Sequence, residues 1–237
     1  MLATAAGGAA VRVSSQRAIA AMGIFGLFLL GGCAHSVPSG MHPHTAGHAT
    51  ACVPANGRQG QPGCWVLATA PVTAAAPLYW HVYQIASAEQ GRAAGPPSKV
   101  IRAFGRTWLV AVAEQHWRSS AGQHVATVGP LQLLSAKPHT ASFMEATFTP
   151  GMSSRIHTHP GPEAWVVIEG QQCLETPEGV IRGRAGDAMM VRGDLPMQLF
   201  GNGTGFRKAL VLILHPTGQA LGTTNRQWQP SGACLAK

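Results

Sequence analysis

Residues 151–170, GMSSRIHTHPGPEAWVVIEG, constrain the fold of this chain more than any other stretch. His157 and His159 stand two apart, so on a β-strand both imidazoles leave the same face. Pro160, Gly161 and Pro162 end that strand and turn the chain. Glu163, Trp165 and Val167 then share one face of a second alternating run, with Ala164, Val166 and Ile168 on the other. A hairpin of this kind brings two imidazoles and a carboxylate to one point. That is the ligand set of a two-histidine, one-carboxylate metal site.

The rest of the chain agrees with strands. Gly (29) and Pro (17) are frequent, Val, Thr and Leu come in short runs, and no long helical period follows the N-terminus. The pattern predicts an all-β architecture of short strands and frequent turns. Residues 140–149 alternate, with Phe143, Glu145 and Thr147 on one face and Met144, Ala146 and Phe148 on the other. Residues 208–215, KALVLILH, read as a buried strand. Residues 87–94 predict a short helix capped by Ser87 and stopped at Gly95, and residues 100–113 a hairpin bent at Gly105. Glu145 and Trp165 are the pocket candidates nearest the triad. His81 and His116 are read as packed or surface residues.

Charged residues make up 11% of the chain, and the formal net charge of +8 is spread along it without a basic block. A nucleic-acid footprint would be clustered on one face, so no nucleic-acid partner is expected. Arg12 and Arg17 precede an apolar run over residues 18–30, which predicts a signal peptide rather than a membrane span. Leu30-Gly31-Gly32-Cys33 resembles the bacterial lipobox. That resemblance implies loss of residues 1–32, lipidation of Cys33, and membrane attachment through acyl chains. Ala34 follows the cysteine, so there is no Asp there of the kind that resembles an inner-membrane retention signal. The expected location is therefore the outer membrane, facing the periplasm. Residues 33–51, with His35, His42, His44 and His48, read as a flexible His-rich tether. Residues 52–128 read as an N-terminal extension of strands and one short helix, and residues 129–237 as a β-barrel domain with a C-terminal tail.

Cys52, Cys64, Cys173 and Cys234 remain, an even number in an exported chain, and four cysteines allow three connectivities. Cys52 and Cys64 bracket a turn-rich loop and are the first expected pair; Cys173 with Cys234 then ties the tail back to the β-domain. The competing zinc site lacks any C-x-x-C pair.

Gly151, His157, His159, Glu163 and Gly170 fit G-x5-H-x-H-x3-E-x6-G at every defined position. The stretch resembles the first motif of the cupin superfamily. The resemblance implies a double-stranded β-helix, or jelly roll, over about residues 129–216, with a divalent transition metal (Fe, Mn, Zn or Ni) on His157, His159 and Glu163. The second motif, G-x5-P-x-G-x2-H-x3-N, is matched in part. Gly186 fits, but Arg192, Asp194 and Gly201 replace the defined Pro, Gly and Asn, and Met197 stands at the metal-binding histidine. Three readings of that loss stay open. The triad holds the ion alone, Met197 coordinates as a soft thioether, or the metal is lost and Met197 is a flexible pocket wall.

No nucleophile–base pair, catalytic carboxylate pair or phosphate loop stands out in the sequence. Two functions follow from the resemblance. One is a metal-dependent oxygenase or isomerase on a small organic molecule. The other is a non-catalytic lipoprotein that binds or senses a small molecule or metal. A homodimer is among the expected assemblies.

Overall fold

The computed structural model describes residues 48–49, 51–72 and 77–235. The expected signal peptide, Cys33, and His35, His42 and His44 lie outside the described residues. Among the described residues no helix is long and apolar enough to cross a membrane.

The chain begins with two short strands, β1 (His48–Ala49) and β2 (Val53–Pro54), then β3 (Gly63–Val72) and β4 (Leu78–Ile85). One helix, α1 (Ala88–Arg92), precedes β5 (Lys99–Ala103), β6 (Arg106–Ala113), β7 (Gln123–Leu131) and β8 (His139–Phe148). Next come β9 (Ser153–Ser154), β10 (His157–Thr158), β11 (Glu163–Glu169), β12 (Gln171–Thr176) and β13 (Gly179–Arg184). The series closes with β14 (Ala188–Val191), β15 (Gln198–Asn202), β16 (Arg207–Pro216) and β17 (Thr223–Thr224). The helix starts where expected, with the Ser87 hydroxyl accepting from the Gln90 amide at 3.2 Å. The β5–β6 hairpin turns on Phe104 and Gly105, both at positive φ (54° and 70°), as a two-residue turn of matching twist requires.

Three layers result. A six-stranded sheet in the order β14-β11-β16-β8-β3-β2 faces a five-stranded sheet in the order β1-β9-β15-β12-β13. Between them lies a core that includes Met144, Ala146, Trp165, Leu174, Leu199, Val211 and Ile213. A four-stranded sheet, β5-β6-β4-β7, covers the outer face of the six-stranded sheet. There Trp80, Val82, Trp108 and Val110 pack against Ala141, Phe143, Ala164, Val166, Leu210 and Leu212. Strands β8, β11 and β16 are thus buried on both faces. This explains why β16 reads as an unbroken apolar run rather than an alternating one.

The boundary expected at residue 129 falls inside β7, and the stretch before it is not one appendage. β3 is a full member of the barrel sheet, antiparallel to β8, because its Cys64 and Val66 face the barrel core. Only β4–β7 form the added layer. His81 lies in that layer, buried, its Nε2 on the Glu114 carbonyl (2.9 Å) and Nδ1 on Thr127 Oγ1 (3.2 Å). At the start of the barrel, β1 runs parallel to β9, so His48 and Ala49 at the end of the expected tether are drawn into a sheet. Both expected disulfides are present, Cys52–Cys64 and Cys173–Cys234.

Two motif glycines have steric causes. Gly170 turns β11 into β12 at φ +74°, where a Cβ would lie 2.3 Å from the Phe206 carbonyl oxygen. A Cβ on Gly161 would meet the Leu214 carbonyl oxygen at 2.0 Å, so the Pro-Gly-Pro turn lies flat against β16.

Candidate metal centre

β10, the residue that follows it and the start of β11 present His157, His159 and Glu163 to one point on the inner face of the barrel, and their potential ligand atoms lie within 4.8 Å of one another. β10 is pinned from two sides. His157 and Met197 exchange backbone hydrogen bonds (3.1 and 2.9 Å), and β17 pairs with β10 on the other side. The two imidazole rings meet edge to face, 4.7 Å between centroids.

Each ring is oriented through Nδ1. His157 Nδ1 lies 2.7 Å from the Arg155 carbonyl, and His159 Nδ1 lies 2.6 Å from the Leu221 carbonyl. A carbonyl accepts only, so both Nδ1 atoms carry the proton and both Nε2 lone pairs are free. This is the outer-shell support that metal-ligating histidines use. His159 Nε2 stands 3.0 Å from Glu163 Oε2, yet neither atom makes a hydrogen bond of acceptable geometry, and both are buried. In the tautomer that Leu221 dictates, a nitrogen lone pair faces a carboxylate oxygen. That arrangement becomes favourable only with a cation between or beside them, a proton or a metal ion.

The electrostatics separate the two rings. Burial lowers the His157 pKa, and the neighbouring His159 lowers it further, against weaker opposing effects of Glu163 and the Arg155 carbonyl. Burial also opposes charge on His159, but the Glu163 carboxylate and the Leu221 carbonyl outweigh it and raise that pKa.

The triad opens into a cavity of about 330 Å³, within the range of small-molecule sites. Phe148, Trp165, Leu199 and Val211 make its apolar wall, and Cys52 and Cys64 stand on its margin. A larger groove of about 730 Å³ lies around Gln171, Arg182, Arg184 and Asp187, and the triad is not part of it.

Of the pocket residues expected from sequence, Trp165 lines the cavity. Glu145 does not. It shares the β8 face of Ala141 and Phe143, which points away from the barrel, while Met144, Ala146 and Phe148 point in. Its Oε1 accepts from the Gly60 amide instead, and burial raises its pKa. Met197 is 1% exposed and lies across the ladder from His157, but its side chain packs into the barrel core and is not among the cavity-lining residues.

The sequence reading missed the C-terminal strap. Leu221, Gly222, Thr223 and Thr224 line the cavity, and Leu221 supplies the carbonyl that holds His159. A Cβ on Gly222 would stand 2.8 Å from His159 Nδ1, so the strap passes directly over the ring. Farther along, Glu175 accepts from Ser231 Oγ (2.8 Å) and from the amides of Gly232 (3.0 Å) and Cys234 (2.8 Å), beside the Cys173–Cys234 bond. Nothing in the local sequence LGTT marks it as part of a site.

Fold and site together make a double-stranded β-helix, or jelly roll, with a His-His-Glu group on its inner face. No protein-family model matches the sequence, and no curated protein matches it. Among solved structures, the chain is similar to a cupin superfamily protein from Desulfitobacterium hafniense, at 19% identity over 32% of this chain and 67% of that one, with a TM-score of 0.30. It is also similar to an uncharacterized double-stranded β-helix protein from Klebsiella pneumoniae (18% identity, 41% and 82% covered, TM-score 0.31). A sugar phosphate isomerase from a cupin superfamily, from Silicibacter pomeroyi, matches at 23% identity over 32% of this chain and 51% of that one, with a TM-score of 0.29. The chain thus spans about half of that isomerase.

Proposed function

We propose that the barrel holds one divalent transition ion on His157 Nε2, His159 Nε2 and the Glu163 carboxylate, and acts on a small organic molecule in the cavity beside it. The observation that carries this reading is the pair of Nδ1 contacts to Arg155 and Leu221, which turns both nitrogen lone pairs toward one buried, unsatisfied carboxylate oxygen. A donor set of two imidazoles and a carboxylate suits iron(II), manganese(II), zinc(II) or nickel(II). A copper(I) site would recruit the Met197 thioether, which is packed into the core instead.

When bound, the ion supplies Lewis-acid polarisation or dioxygen activation, the chemistry of an oxygenase or isomerase. The chain's residues do the rest. Arg155 and Leu221 fix the rings, Phe148, Trp165 and Val211 keep the wall dry, and the strap restricts the mouth. The disulfides suit an oxidising compartment, which supports export and attachment to the cell envelope through Cys33.

The same strap favours a second reading, capture of a small molecule or metal without turnover, because it lies clamped across the cavity. Elemental analysis of the purified protein separates these ideas from a metal-free barrel. One equivalent of a transition metal is expected, falling to background in His157→Ala/His159→Ala. Metal content that survives the double substitution refutes the site. Dioxygen uptake or isomerisation by the metal-loaded protein then tells an enzyme from a binder.

A further inference from the structure

The triad cavity carries a cation of its own at the mouth. Among the described residues that line it, Arg155 is the one side chain with a permanent positive charge, and Glu163 is the one carboxylate. Glu163 faces His159 at 3.0 Å and belongs to the triad. The ion pairs among the described residues are His159–Glu163, Arg192–Glu178 and Lys208–Glu169, so Arg155 has no counter-charge at contact distance. It is exposed, and its guanidinium donates to no other group among the described residues.

An exposed arginine is ordinarily a solvated surface group. What distinguishes Arg155 is how firmly its stem is held at the cavity. The Ser154 carbonyl accepts from Gln198 Nε2 (3.0 Å), and Ser154 Oγ accepts from the Leu199 amide (2.9 Å). The Arg155 carbonyl accepts from His157 Nδ1 (2.7 Å), and the Ile156 carbonyl accepts from the Asn225 amide of the strap (3.0 Å). The carbonyls on both sides of Arg155, and its own, are therefore tied down. A fixed backbone lowers the ordering cost when a ligand engages the head group.

The surroundings of the cavity are two-sided. Thr224 stands opposite His157 in the β10–β17 ladder, so the two side chains leave the same face, and Thr224 also lines the cavity. Arg155 and Thr224 thus put N–H and O–H donors beside His157, while Phe148, Trp165, Leu199 and Val211 form the apolar wall. Charge accounting agrees with this division. A divalent ion on two neutral imidazoles and one carboxylate keeps a net positive charge, and Arg155 adds another. A cleft lined by one sign of charge concentrates ligands of the other.

We infer that the cavity takes a small amphipathic organic acid, with its anionic oxygens on the Arg155 guanidinium and the Thr224 hydroxyl and its apolar body against Phe148, Trp165 and Val211. A guanidinium fork matches the paired oxygens of a carboxylate. This rests on the metal and cavity reading proposed above and narrows its ligand class to organic carboxylates, with phosphate esters as the other source of the same charge. Cations and uncharged polar molecules are disfavoured.

Calorimetric titration of the purified protein with benzoate, benzamide, acetate and phenyl phosphate tests it, with metal content measured on every sample. Benzoate should bind about tenfold or more tightly than benzamide, which has the ring without the charge. It should also exceed acetate, which has the charge without the ring. Arg155→Met keeps the carbonyl that orients His157 and removes only the guanidinium. Metal content should then stay at the parent's level, benzamide affinity should hold, and benzoate affinity should fall about tenfold or more. Repeating the comparison on chelator-stripped protein tells a carboxylate held by the ion from one held by Arg155. Phenyl phosphate bound more tightly than benzoate, and weakened in the same variant, supports the anchor with a phosphate ester as its source. Equal benzoate affinity in parent and Arg155→Met, with or without metal, overturns the assignment, as does a metal-replete parent that binds neither anion. A parent that carries no metal but binds benzoate through Arg155 refutes the metal reading alone.

Discussion

Replacing Cys173 and Cys234 together by alanine tests whether the C-terminal strap holds the metal centre in shape. The bond joins positions 61 apart, so the chain-entropy model gives it a ceiling of about 4 kcal/mol, against about 3 kcal/mol for Cys52–Cys64 with a separation of 12. The observed loss should fall below that ceiling. Glu175 still accepts from Ser231, Gly232 and Cys234, and hydrogen bonds to a charged group are worth roughly 1.5–3 kcal/mol each. A decrease of about 2–4 kcal/mol in unfolding free energy is expected by denaturant titration. The functional consequence is separate. The strap carries the Leu221 carbonyl that orients His159, and loss of such a support typically lowers metal affinity by about 10–100-fold. Hydrogen exchange reads the strap through the Asn225 amide, which donates to the Ile156 carbonyl, while competition with a chelator reads the metal. Faster exchange at Asn225 with unchanged metal affinity would refute the argument, because His159 would then hold its geometry without Leu221.

Other substitutions isolate single parts. Gly222→Ala puts a Cβ against His159 Nδ1, so metal affinity should fall although every ligand remains, as chelator competition would show. Glu145→Gln should leave metal content unchanged, because Glu145 lies on the outer face of β8; a drop in elemental analysis would contradict that placement. Burial alone would raise the Glu175 pKa, but hydrogen bonds from Cys234, Ser231 and Gly232 outweigh it and lower the pKa. Its contribution is therefore full above the ordinary value of 4.5 and lost as pH falls through the depressed one. Strap exchange should accelerate as pH falls below 4.5 toward the depressed value, and Glu175→Gln should flatten that dependence. Burial lowers the His81 pKa, so the unfolded chain takes up a proton first and stability should decline as pH drops below 6.5, a slope that His81→Gln reduces in thermal melts.

How much of this was readable in the chain depends on the range of the interaction concerned. The triad was legible because strand alternation is local: one residue between the imidazoles and a turn before Glu163 suffice to place three ligands on one face. The short helix and the Gly105 hairpin were legible for the same reason. Glu145 shows where local information stops. Its alternation with Met144 was plain, but both faces of β8 are buried, so polarity could not say which face was inside. The third layer escaped for a related reason. β3 joins β8, whose partner residues lie far along the chain (Gly63 with Thr147, Val72 with His139), and nothing in GCWVLATAPV distinguishes a barrel strand from one in a covering sheet.

The strap bears on what the replacement of histidine by Met197 means. A third imidazole, as fourth ligand, would fix the site through the coordination itself. Here the same ladder position is apolar and packed inward, and rigidity comes from outside the ligand set, through carbonyls of Arg155 and Leu221. Leu221 is held in turn by the β10–β17 pairing, the Glu175 clamp and the Cys173–Cys234 bond. With an ion on the proposed triad, the missing ligand would leave a coordination position open, and the strap would limit what can reach it. Selection at such a centre would then fall to the cavity wall rather than to the number of protein ligands. Substitutions in the strap, which lines the cavity, should therefore alter which molecules enter.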